Sequence, residues 1–181
     1  NLTPHQRLRL LEYFSSRVDW YGGGYQSVTK QLPESMVLFL LSQDGNKQYD
    51  DLLKRTLIAN YQLVDPIWGG VYRNSRDGVW EKPNFEKLTI DQGRNIAIYS
   101  HAYLKDNDAK YKNAALSIAD YLEKWVRSPD GVYYTGQGGF VLNNAVSSKD
   151  YFSFDDEHRR SFGLPAIDKS ILTDANARVA E

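Results

Sequence analysis

Asp91 is the residue of this chain best placed for acid–base chemistry. It falls about one turn into a helix read over 85–105, directly after the ring-bearing loop from Trp80 to Phe85. A carboxylate at such a place can serve as acid, base or acceptor for a sugar hydroxyl. The competing assignment is structural: Asp91 and Gln92 bond to neighbouring loop N–H groups, as most buried polar groups do. Glu86, five residues earlier, shares no helical face with Asp91, so the two do not form a paired-carboxylate site. A charge at Glu86 instead favours the positive end of the helix dipole.

Asp155-Asp156-Glu157-His158 puts three carboxylates and an imidazole in a row. Consecutive residues rarely converge on one centre, and the i, i+3 or i, i+4 ligand spacing of helices is missing. Ahead of Arg159-Arg160 the run reads as a charged helix start, and no metal is expected. His5 and His101 have no partner in the local sequence. The chain contains no cysteine, which excludes disulfides, thiolate metal sites and thiol nucleophiles but leaves the compartment open. A nucleophile elbow, a P-loop and a dinucleotide fingerprint are all absent, and no cofactor is expected.

The broader signal is aromatic. Three loops place rings around glycines: Asp19-Trp20-Tyr21-Gly22-Gly23-Gly24-Tyr25, Asp65-Pro66-Ile67-Trp68-Gly69-Gly70-Val71-Tyr72, and Asp130-Gly131-Val132-Tyr133-Tyr134 continuing to Gly138-Gly139-Phe140. Rings with a polar edge suit stacking on a sugar face while an OH or indole N–H makes a hydrogen bond. Trp20, Tyr21, Tyr25, Trp68, Tyr72, Trp80, Phe85, Gln92, Tyr133 and Tyr134 are the candidate binding residues. Glycine-flanked rings also plug the junctions between helices. About half of the loop rings are therefore expected in the core, and binding needs only three or four of them.

The elements that must hold these loops are helices. Thr3-Pro4 opens one that runs to about Arg17, with Leu8, Leu11, Phe14 and Val18 forming its buried stripe. Pro33 starts a short helix through Met36–Leu41, apolar on every side and expected to be enclosed. A third helix is read over 47–64, with Tyr49, Leu53, Thr56, Asn60 and Leu63 on one face, ended by Asp65-Pro66. The helix over 85–105 lines up Leu88, Asp91, Asn95, Tyr99 and Ala102, mixing polar groups into its inner face. A fifth, over 109–127, repeats Tyr111, Ala115, Ile118, Leu122 and Trp125. Residues 128–170 form a long, partly ordered excursion in which 132–134 and 140–142 could pair as a hairpin. Thr173 opens a sixth helix. The pattern is all-α, with antiparallel helical hairpins whose long Gly-aromatic loops gather on one face.

A formal net charge of -1 supplies no electrostatic footprint for nucleic acid. The longest apolar run, Met36–Leu41, is far shorter than the about 18 residues that cross a bilayer. No nucleic-acid or membrane partner is expected. The chain starts at Asn1 and stops soon after the sixth helix opens, so residues 1–181 read as a single domain cut from something larger at both ends.

Four separated motifs carry a resemblance: Asp65–Tyr72, Trp80–Gln92, Ser128–Tyr134 and Arg159–Lys169. In content, order and spacing they resemble the helical region of the YyaL and spermatogenesis-associated protein 20 family. The resemblance implies about half of an (α/α)6 toroid similar to N-acylglucosamine 2-epimerases and several glycoside hydrolases. It also implies a thioredoxin-like domain elsewhere in the parent chain. This sequence departs from the family at Asn84, where histidine is frequent, and at Gly138-Gly139-Phe140, where the family has an acidic turn, so no acid–base role passes to those positions. The expected function is binding or processing of a carbohydrate-like small molecule. The alternative is a non-catalytic scaffold for the thioredoxin-like domain. Half a ring leaves helix faces uncovered, and a homodimer through those faces is expected.

Overall fold

A computed structural model describes residues 3–43, 45–141 and 146–181. Thr3 caps α1 (Pro4–Arg17) through a reciprocal pair of bonds with Gln6. α2 (Glu34–Leu41) buries Met36, Val37 and Leu40, but Leu38 is 44% exposed, so its apolar surface is enclosed on one side only. α3 (Lys47–Tyr61) starts at an Asn46 cap and stops three residues short of the expected Val64, because the chain turns there to pair Val64 with Val71.

Beyond α3 come two-residue strands, β1 (Asn74–Ser75), β2 (Pro83–Asn84) and β3 (Lys87–Leu88). α4 (Thr89–Asp106) follows, then α5 (Ala109–Tyr121), which continues as a π-helical turn through Leu122–Val126. The helix expected from Phe85 thus begins four residues later, since Lys87 and Leu88 are extended and paired with β4 (Gly136–Gln137). The hairpin expected between 132–134 and 140–142 does not form on its described side. Tyr133 bridges to Arg127, while β4 lies between β3 and β5 (Ile167–Asp168); Leu142 lies outside the described residues. The charged run opens α7 (Asp156–Phe162), with Asp155 as its cap, after the short α6 (Ser148–Ser153). α8 (Thr173–Ala180) closes the described chain.

α2, α4 and α8 stand in a row, with α3 behind α2 and α5 behind α4. Gly93 lets α8 approach, because a Cβ there would lie 2.8 Å from the Arg178 carbonyl oxygen. The polar groups on the α4 face answer α3: Asn60 donates to Asn95 (2.7 Å) and to the Tyr99 hydroxyl (3.0 Å), and that hydroxyl donates to the Leu57 carbonyl. On α1, by contrast, Leu8, Leu10 and Tyr13 are each more than half exposed.

The three Gly-aromatic loops are one turn used three times. In the first, Asp19 N–H donates to Gly24 O and Gly23 N–H to Asp19 O. Asp65 with Gly70 and Gly69 repeats this, and Ser128 with Val132 and Gly131 forms a version shorter by one residue. Each turn then pairs back on the helix it leaves, through Gln26 to Arg17, Tyr72 to Leu63 and Tyr134 to Val126, all at 2.8 Å. The aspartates are locked by lysines that enter from the next segment. Lys30 Nζ lies 2.7 Å from Asp19 and Lys87 Nζ 2.8 Å from Asp65. Asp65 also takes two bonds from Arg159 (2.7 and 3.0 Å), so one fully buried carboxylate faces two fully buried cations.

Candidate functional site

The first turn of α4 sets the site. No side chain caps this helix, yet Thr89 N–H donates to Thr135 O and its hydroxyl to Tyr134 O, which fixes the helix start against the third loop. Asp91 therefore sits in the first turn, its side chain 20% exposed. Arg94 lies 3.3 Å from Asp91 and 3.6 Å from Glu34 at the start of α2, and Arg178 of α8 reaches Glu34 at 2.7 Å. Three adjacent helices thus contribute two acids and two arginines to one network. Beside it opens a cavity of about 370 Å3 whose lining includes Tyr25, Lys30, Gln31, Glu34, Ser35 and Arg94.

Burial raises the Asp91 carboxyl above the usual carboxylate range, against the pull of Arg94 and Arg73; Glu86 adds to the rise. An acid with a higher pKa in the folded chain binds more protons when folded. Its stabilising share is present at low pH and is lost as pH rises through the folded value. Asp91→Asn is accordingly expected to raise the urea midpoint at pH 7 and to lose that advantage below about pH 4. A variant less stable than the unmodified protein at pH 7 would show that the carboxylate is there for packing.

The other sequence-selected residues fall in several places. Gln92 is fully buried and fully used: its Oε1 accepts from Val71 N–H (2.6 Å) and its Nε2 donates to the Val71 and Leu88 carbonyls. It ties the second loop to α4, which is the structural assignment for Gln92. Trp80 closes on the first loop, donating to Gly22 O at 2.9 Å. Trp68 donates to Asp156 at 2.7 Å, tilts against Trp125 and lies under the Arg159 guanidinium. Tyr72 packs edge-on against Phe85 and Phe152, and Phe85 stacks on Phe152. Trp20 is half-buried and donates to Ser15 O. Tyr133 is half-buried and bonded to Glu123, and Tyr134 packs against the Leu122 and Val126 cluster. Tyr21 is 91% exposed, and among the described residues Tyr25 is the one aromatic in the cavity lining.

Trp68, Tyr72 and Trp80 are thus buried, and the rings do not converge on a single pocket. Glu34, Arg94 and Arg178 are the site residues that sequence reasoning passed over. Only the i, i+3 pair of Asp91 and Arg94 leaves a local trace; the other two join it from separate helices.

The helices fold like part of the (α/α)6 toroid of two solved carbohydrate epimerases. A cellobiose 2-epimerase from Spirochaeta thermophila superposes with a TM-score of 0.61 at 17% identity, over 71% of this chain and 36% of that one. A sugar epimerase from a ruminal bacterium gives 0.60 at 21%, over 76% and 40%. In sequence, the chain's homologues include proteins named spermatogenesis-associated protein 20. The human protein is 31% identical over 98 residues, which is 54% of this chain and 12% of that protein; the rat protein is 28% identical over 125 residues, 64% and 16%. An uncharacterized protein of Caenorhabditis elegans is 27% identical over 142 residues, 75% and 19%. The chain therefore spans between 12% and 19% of the length of these relatives. No family model matches it.

Proposed function

We propose that this chain forms about half of a helical toroid that binds or processes a carbohydrate, with the sugar entering the cavity beside Glu34 and Arg94. The observation that carries this reading is the partly buried Asp91, with its raised pKa, in the first turn of the central helix of the row and one ion pair away from that cavity. Tyr25 supplies a ring face for stacking, and Glu34 and Arg94 supply an acceptor and a donor for hydroxyls. Asp91 is the group that would exchange a proton, since a carboxyl held above its usual range moves closer to neutral pH. Calorimetric titration with a panel of mono- and oligosaccharides tests the reading. Saturable binding that weakens about ten-fold or more in Tyr25→Ala and Glu34→Gln supports it. No heat across the panel would overturn it and favour a non-catalytic scaffold that accompanies a thioredoxin-like domain in the parent chain.

A further inference from the structure

The second Gly-aromatic loop and α6 enclose a groove of about 480 Å3 that has no part in the Asp91 network. Its wall is aromatic. Phe85 and Phe152 stack with centroids 4.7 Å apart and planes 3° from parallel, and Tyr72 meets both rings edge-on. This wall is rigid, because Phe152 lies under the Arg159 guanidinium and the Tyr72 ring faces the Lys87 ammonium, both belonging to the buried triad around Asp65.

The rim is charged. Arg76, Lys82 and Lys149 line the groove against one carboxylate, Glu81. Lys82 is matched by Asp77 at 3.0 Å. Arg76 and Lys149 are exposed and have no ion pair among the described residues. A fixed ring wall with two unmatched cations above it is complementary to a molecule that joins a flat ring face to an anion.

We propose that this groove binds a small ligand that joins a flat ring to a phosphate or carboxylate, the ring lying against the partly exposed Phe85, which the buried Tyr72 and Phe152 hold in place, and the anion held between Arg76 and Lys149. The shared chemistry fits a glycosyl phosphate or an aryl phosphate, and two probes separate them. Titration of the 181-residue chain with glucose 1-phosphate, phenyl phosphate and inorganic phosphate, followed by amide chemical shifts, is the test. At least one ring phosphate is expected to bind about ten-fold more tightly than inorganic phosphate and to shift the amides of Arg76, Phe85 and Lys149. Arg76→Gln with Lys149→Gln, both at exposed positions, is expected to weaken that binding by about ten-fold or more and to flatten its salt dependence. Phe85→Leu is expected to remove the preference for the ring while leaving the phosphate term. Three results would overturn the proposal: inorganic phosphate binding as tightly as the ring phosphates, unchanged affinity in the double charge variant, or no saturable shift with either ring phosphate up to about 10 mM.

Discussion

Asp65→Asn is expected to cost the fold about 3–5 kcal/mol, the range for breaking a buried ion pair from one side. The substitution keeps the side chain's shape and removes the one carboxylate that, among the described residues, pairs with Lys87 and Arg159, all three being fully buried. For a chain of this length, a loss of that size lowers Tm by roughly 6–20 °C. The pH dependence gives a second signature. Burial, the largest influence, holds the Lys87 ammonium down at about 8. A base whose pKa falls on folding binds fewer protons when folded, so stability rises as pH climbs from about 8 towards the unfolded value. Asp65 does not lose its partner in that window, since Arg159 still bonds to both of its oxygens.

In Asp65→Asn no anion remains to hold the proton on Lys87. The deficit against the unmodified protein is therefore expected to narrow as pH rises towards about 8 and to stay level above it, where Lys87 is neutral in both, and Lys87→Met in the same chain is expected to restore part of it. Urea unfolding at pH 5.5, pH 7 and pH 9.5 measures both effects; a deficit below about 1 kcal/mol at pH 7 would remove the triad from the account of the fold. The first loop supplies an internal comparison. Asp19 is 26% exposed and partnered by Lys30, so Asp19→Asn is expected to cost only about 1–2 kcal/mol.

Gly69→Ala is the second large effect, with an expected loss of about 3 kcal/mol from two sources that act together. Gly69 sits at φ +72°, where an L residue costs about 1–2 kcal/mol. A Cβ built there would lie 2.3 Å from the backbone oxygen of Ser117 in α5, and overpacking against a rigid helix costs about 1–3 kcal/mol more. Gly131→Ala in the third loop isolates the first source. Its φ is +84°, but the nearest atom to a Cβ is the far end of the Arg127 side chain at 3.6 Å. Its cost should stay near 1–2 kcal/mol. Equal losses in the two variants, read from urea midpoints, would mean that the close approach of the second loop to α5 contributes nothing.

These two variants mark what was legible. The glycines and rings of the loops stand in the sequence, and so do the helices between them, because burial on one face leaves a local period of three to four residues. The polar residues noted along the inner face of α4 also had a readable cause, resolved as the Asn60, Asn95 and Tyr99 seam. Their partner residues were not readable. Lys87 and Arg159 lie 22 and 94 residues from Asp65, and lysine and arginine are ordinarily placed at the surface. The two-residue strands were equally hidden: pairing of Lys87 with Gln137 and of Gln137 with Ile167 displaces the start of α4, and no run that short carries a period of its own.

The sequence by itself determined an all-α chain of helical hairpins, three aromatic turns at helix ends and a carboxylate at the head of α4, since each depends on residues within a few positions of one another. Tertiary structure alone decided which rings are spent on packing and which charges meet. Trp68, Tyr72 and Trp80 turned inward because their edges found Asp156, the buried triad and Gly22 across the fold. Glu34, Arg94 and Arg178 came together because Gly93 lets α8 close on α4. Contacts of that kind join helices distant in sequence, and their energy resides in geometry that no local pattern records.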